Sequence, residues 1–244
     1  MRFLSRQDLE AISQRVLQVY WKLPEAKKSP ERVNPSILLT HLLGLKLDFR
    51  RLSYDGQVLG MTSFCEIYIE LDDCDPDELY YLDGKTVLID SRLRETGAIE
   101  GRKNFTIAHE GSHHILNTLF PGDYSGGTKA RSVLRYRASP RHSAHRSEEE
   151  WEEWQMDVLS SAILMPQNLL RSHLAAANLP NGIQRLNRVF DSEAFKSFAN
   201  ISEIMGVSKQ ALAYRMERLG LLKENHLQNP YAFLEIWKDE DDDG

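Results

Sequence analysis

Cysteine is almost missing from this 244-residue chain. Cys65 and Cys74 are too few for a disulfide scaffold and lack the short spacing of a zinc knuckle, so they read as two reduced thiols. Long apolar runs are missing as well, and nothing approaches the roughly 18 uninterrupted apolar residues of a membrane span. The start, Met1-Arg2-Phe3-Leu4-Ser5-Arg6-Gln7-Asp8, turns polar at once and has no signal-peptide core, so the cytoplasm is the expected location. A basic surplus is also lacking. The formal net charge of -6 argues against a protein that coats nucleic acid by bulk electrostatics, although it leaves room for a local basic patch. What is there, 41% hydrophobic and 27% charged, is ordinary material for one or two globular domains.

Against that background one stretch stands out: Arg102 to Leu116, which reads as helix and contains His109-Glu110-Gly111-Ser112-His113. Helical positions four apart lie one turn above each other, so both imidazoles project from one face and can share a metal ion. Glu110 points about 100° around from His109, beside the open coordination position, where a carboxylate serves as a base and not as a ligand. Chance would place this pattern somewhere in a chain of this composition with a probability of about 0.02. Phe105, Ile107, Ala108, Ile115 and Leu116 surround it with apolar neighbours, so the three polar groups are expected to be buried and to need partners.

A hydrolytic zinc site takes three protein ligands and a water, and two histidines leave one ligand to find. Ser147-Glu148-Glu149-Glu150 is a capping box that opens a further helix. On it Glu153 is the chosen third ligand, because Asp157 one turn on can accept the second ring N–H of a ligating histidine. The plainer alternative for Glu153 is a solvated acidic face shared with Glu148 to Glu152, and the pairing with Asp157 is what lifts it above that.

The rest of the chain reads as scaffold. Ser5 caps a helix to about Trp21, and Asn34-Pro35 opens a short helix closed by Gly44. From Leu45 to Asp90 the period turns to two: Leu45 to Arg50 is a strand, Val58 to Phe64 and Glu66 to Leu71 read as paired strands, and Thr86 to Ile89 is another. The cluster Asp72, Asp73, Asp75, Asp77 and Glu78 lacks calcium-loop spacing and reads as a solvated turn. Gly122 to Ser147 has the composition of a mobile loop, with Lys129, Arg131, Arg135, Arg137, Arg141 and Arg146 free of intervening acids; a lid attracting an acidic partner is the sharper reading of it. Tyr136, His142 and His145 on this loop are candidates for steadying an oxyanion, and His114 could face the core or the cleft.

Arg102-Lys103-x-Phe105-Thr106-Ile107-Ala108-His109-Glu110-x-x-His113, Glu153-x-x-x-Asp157 and Ile163-Leu164-Met165-Pro166 resemble the ImmA/IrrE family of bacterial zinc metallopeptidases. The similarity runs from the amino-terminal helices and the Val58-Leu59-Gly60-Met61 strand to the Met205-Gly206-Val207-Ser208 region. It implies zinc on His109, His113 and Glu153, Glu110 as general base, and cytoplasmic cleavage of a DNA-binding repressor. The chain departs from the family's usual residues at Gly111-Ser112, in place of Leu-Gly, and at Asp157, in place of Asn.

Ile201 to Leu219 reads as two helices joined by a tight turn, with Ser208 capping the second and Lys209, Gln210, Tyr214 and Arg215 as its reading face if it entered a major groove. Glu203, Glu217 and Glu224 nearly cancel the local basic charge, which favours packing or partner docking over nucleic-acid binding. Tyr231, Phe233, Leu234, Ile236 and Trp237 form an apolar patch before an acidic tail.

The expected architecture is α+β: a zincin-like metallopeptidase domain over 1–178, in which a small antiparallel or mixed sheet accompanies the two metal-binding helices, then a helix-turn-helix-like region over 179–237 and a disordered tail over 238–244. The expected activity is zinc-dependent endopeptidase. The rivals are a transcription regulator that binds DNA or a repressor without turnover, and a partner-sequestering protein that keeps the fold.

Overall fold

A computed structural model describes residues 2–74, 78–94, 100–124, 133–137 and 147–232, with Tyr136 the one side chain described in 133–137. It is a mixed α and β structure in two compact units, 1–166 and 167–244. The expected boundary at 178 thus falls inside the second unit. Pro166 follows a non-helical Met165 and separates the last helix of the first unit from the first helix of the second. Among the described residues no helix is long and apolar enough to cross a membrane.

The first unit opens with α1 (Arg6–Tyr20), whose capping box pairs Ser5 and Asp8 reciprocally. Asn34 caps α2 (Pro35–Ile37), and the chain runs on as a π turn, Leu38–Leu42. Two long helices follow later, α3 (Glu100–Leu119) and α4 (Glu148–Leu164), the latter capped by Ser147 with Glu150. Leu9, Tyr20 and Leu38 pack with Leu116 of α3 and Met156, Leu159 and Ile163 of α4 in one core cluster.

The strands are β1 (Lys46–Arg50), β2 (Val58–Ser63), β3 (Glu66–Ile69), β4 (Tyr80–Asp83), β5 (Thr86–Asp90) and β6 (Val133–Arg137). Four of them form a mixed sheet in the order β1-β5-β2-β6, parallel between β1 and β5 and antiparallel elsewhere. The expected pairing of the second strand with the third does not occur. Both sides of β2 are taken by β5 and β6, and β3 pairs with β4 in a separate ribbon. That ribbon buries Ile69 and Leu82 against Met61 and Leu88 on one sheet face, while Ile107 of α3 packs with Leu59, Val87 and Ile89 on the other. The acidic turn is tied down as well as solvated, since Asp72 and Asp73 pair with Arg51 and Arg50.

The loop expected between α3 and α4 instead contains β6. Leu134 and Tyr136 alternate with Arg135 and Arg137 there, a strand signal hidden among breakers. The β2–β6 register skips one residue between Val58 and Gly60, an irregularity of the β-bulge kind. As a result Leu59 and Gly60 both turn to the α3 side, whereas Val58 and Met61 face the ribbon.

The second unit comprises α5 (Gln167–Ala176), β7 (Ile183–Leu186), α6 (Ser192–Met205), α7 (Lys209–Arg218) and β8 (Leu222–Asn225). Gly206 ends α6 in the left-handed conformation at φ 64°, and Ser208 then caps α7. β7 and β8 pair in parallel, a contact between distant segments that no local pattern announces.

Several sequence expectations lie outside the described residues: Asp75, Asp77, Lys129, Arg131, Arg141, His142, His145 and Arg146, the side chains of Arg135 and Arg137, Phe233, Leu234, Ile236, Trp237 and the tail over 238–244.

Candidate metal centre

The middle of α3, Thr106 through Leu116, is buried without interruption, so each polar side chain in it has to be satisfied within the protein. His109 and His113 are 0% and 2% exposed. Their Nε2 atoms face one carboxylate of α4: Glu153 Oε2 lies 3.1 Å from His109 Nε2, and Glu153 Oε1 lies 3.8 Å from His113 Nε2. One donor atom from each of the three residues lies within 4.8 Å of the others, so His109, His113 and Glu153 can hold a metal ion. Two imidazoles and a carboxylate suit zinc, whose tetrahedral ligands stand about 3.4 Å from one another.

The opposite edges of both rings face acids. His109 Nδ1 is 3.0 Å from Asp157 Oδ1, and His113 Nδ1 is 4.0 Å from Glu152 Oε1. Burial lowers the basicity of His109, but the hydrogen bonds and charges of Asp157 and Glu153 outweigh it and raise its pKa to about 10. In the metal-free protein a proton on this ring therefore takes the place of the cation.

Glu110 sits next to the cluster, fully buried, with neither carboxylate oxygen hydrogen-bonded among the described residues. Burial raises its pKa, the His109 charge partly opposes this, Glu153 adds to it, and the result is about 8. A carboxyl stranded in this way beside three metal donors is what a site completed by an ion and its water would leave behind.

Room for that carboxyl comes from Gly60. A Cβ there would land on Glu110 Oε1 and come within 2.8 Å of Thr106 Cγ2. Gly60 lies opposite Tyr136 in the register, and the Tyr136 ring covers His109, with centroids 4.1 Å apart and planes tilted by 35°. Burial, then the Asp157 and Glu153 charges, hold the Tyr136 phenol protonated well above its usual range.

His114 turns the other way. Its Nε2 is 2.7 Å from Thr62 Oγ1 and its ring meets Phe64 edge-on, which places it between α3 and β2. Burial lowers its pKa to about 4, so it is neutral and braces the helix.

Sequence reasoning passed over two of these residues. Glu152 was expected on a solvated face, yet it is 3% exposed; the run Glu148-Glu149-Glu150 hides its different environment. Gly60 carried a usable signal, because a glycine inside a strand marks a close approach. In the second unit Lys209, Gln210 and Tyr214 are exposed, but Arg215 is 3% exposed and leaves the expected reading face. It lies three residues after Leu212, on the buried stripe of α7. No protein-family model and no curated protein matches the chain, so its function has to be read from the chemistry of this cluster.

Proposed function

We propose that the chain is a zinc-dependent endopeptidase with a zincin-like core, cutting a cytoplasmic DNA-binding repressor and so relieving repression. The observation that carries the hydrolytic reading is Glu110, buried beside His109, His113 and Glu153 with neither oxygen paired among the described residues. The ImmA/IrrE resemblance of these motifs supplies the substrate class.

In this reading His109, His113 and Glu153 hold the ion, and zinc when bound supplies a Lewis acid for the scissile carbonyl and acidifies water. Glu110 takes the proton of the attacking water and returns it to the departing amine. Asp157 accepts the Nδ1–H of His109 and keeps its Nε2 on the cluster, while Tyr136 packs on the ring face. β6 is the outer strand of its sheet and carries Tyr136, so an extended substrate segment that adds to it runs along the centre.

Candidate repressors incubated with the purified protein, with and without chelator, give the test by mass spectrometry. Glu110→Gln should keep its zinc and its partner binding while cleavage slows by about 10²- to 10⁴-fold. Cleavage at the wild-type rate by that variant would remove the catalytic assignment.

The second reading is DNA binding through the second unit, favoured by exposed Lys209, Gln210 and Tyr214 on α7, which follows a glycine-capped turn. Duplex affinity measured across salt concentrations for Lys209→Ala/Gln210→Ala decides it. A slope and affinity equal to wild type leave that face without a nucleic-acid role.

A further inference from the structure

The acids of α4 at 152, 153 and 157 divide between the two histidines in a regular way. Glu153 faces both Nε2 atoms, Asp157 faces Nδ1 of His109, and Glu152 faces Nδ1 of His113. We infer that Glu152 is a positioning residue, which accepts the Nδ1–H of His113 and so keeps that ring's Nε2 on the metal side. The inference rests on the metal reading above.

Three facts support it. The Glu152 and His113 side chains are only 4% and 2% exposed, so water screens their interaction little. Its Oε1 approaches His113 on the edge opposite the one that faces Glu153. The 4.0 Å separation exceeds a hydrogen bond by about 1 Å, within reach of a rotation about the last side-chain bond. An acceptor on the distal nitrogen fixes the tautomer and raises the basicity of the ligating one. One helix then supplies a ligand and the orienting acids for both imidazoles.

The experiment measures zinc affinity by chelator competition, and the visible spectrum of the cobalt-substituted protein, for wild type, Glu152→Leu, Glu152→Gln and His113→Ala. Glu152→Leu should lose affinity by about 10- to 100-fold and shift the cobalt bands. Glu152→Gln, which still offers an oxygen acceptor, should recover most of both. Wild-type affinity and an unshifted spectrum in Glu152→Leu overturn the positioning role while leaving the metal reading intact. If His113→Ala binds zinc as wild type does, the metal reading falls, and this inference with it.

Should Glu152→Leu fail to fold, the Nδ1–H proton resonance of His113 in the zinc-loaded protein decides, identified by its loss in His113→Ala. Replacing a charged acceptor by an amide in Glu152→Gln should move it upfield; an unmoved resonance overturns the inference. A purely structural Glu152 would change neither the cobalt bands nor this proton.

Discussion

Glu110 ionises near 4.5 in an unfolded chain, whereas in the metal-free fold its pKa is raised to about 8. Between those values the folded protein binds more protons than the unfolded one, so stability falls as pH rises. The penalty is absent below about 4.5 and complete above about 8. Glu110→Gln removes it, and the metal-free variant should therefore exceed wild type in stability at neutral pH by a few kcal/mol, on the order that such a shift implies. Denaturant unfolding in chelator checks this, and a margin that shrinks with rising pH contradicts it. Gly60 lends itself to the opposite experiment. With Glu110 Oε1 and Thr106 in the way of a Cβ, Gly60→Ala should destabilise by about 1–3 kcal/mol and, on the proposed function, slow cleavage by displacing Glu110. Thermal unfolding and turnover measured together test both effects, and an alanine variant as stable and active as wild type would show that the recess has slack.

The helix α3 carries its own weak point. Gly111 lies in the middle of α3, where glycine costs about 1 kcal/mol relative to alanine. A Cβ there would meet Leu39 at 3.6 Å and Leu38 and Leu43 at 3.7 Å, ordinary contacts. Gly111→Ala should accordingly stabilise by about 1 kcal/mol and raise the melting temperature without loss of zinc; a lower melting temperature would mean the surrounding leucines cannot yield. Helices were the legible part of this chain, because caps such as Ser5, Asn34, Ser147 and Ser208 and the four-residue spacing of His109 and His113 are local signals. Strand partners were not legible. β2 is flanked by β5 and by β6 from far along the chain, and β7 meets β8 across two helices, choices set by packing rather than by any short window. The same limit hid Glu152 and Arg215, whose burial depends on what lies against their helices.

For the molecule as a whole, metal, proton and fold are linked. His109 in the metal-free protein has its pKa raised from 6.5 to about 10, so its contribution is full below about 6.5 and is lost as pH rises through about 10. Glu110 works in the same direction between about 4.5 and about 8. The metal-free protein should thus weaken steadily with alkali. Zinc held as proposed would displace the His109 proton and give the ionised Glu110 a favourable neighbour, so its stabilising effect should grow with pH. Calorimetric melting with and without zinc at about pH 6 and about pH 8.5 measures it. A zinc-induced rise in melting temperature that is larger at the acid end would break this linkage.

The four polar groups of the cluster differ in how they meet solvent: His109 and His113 are sealed in at 0% and 2%, while the Glu153 and Asp157 side chains are 34% and 47% exposed. The imidazoles form a fixed back wall and the carboxylates form the door. On the proposed metal reading an ion would arrive or leave past Glu153, the most exposed of its three ligands. On that reading loading would be an event on a finished scaffold, set by the supply of the ion more than by the folding of the chain.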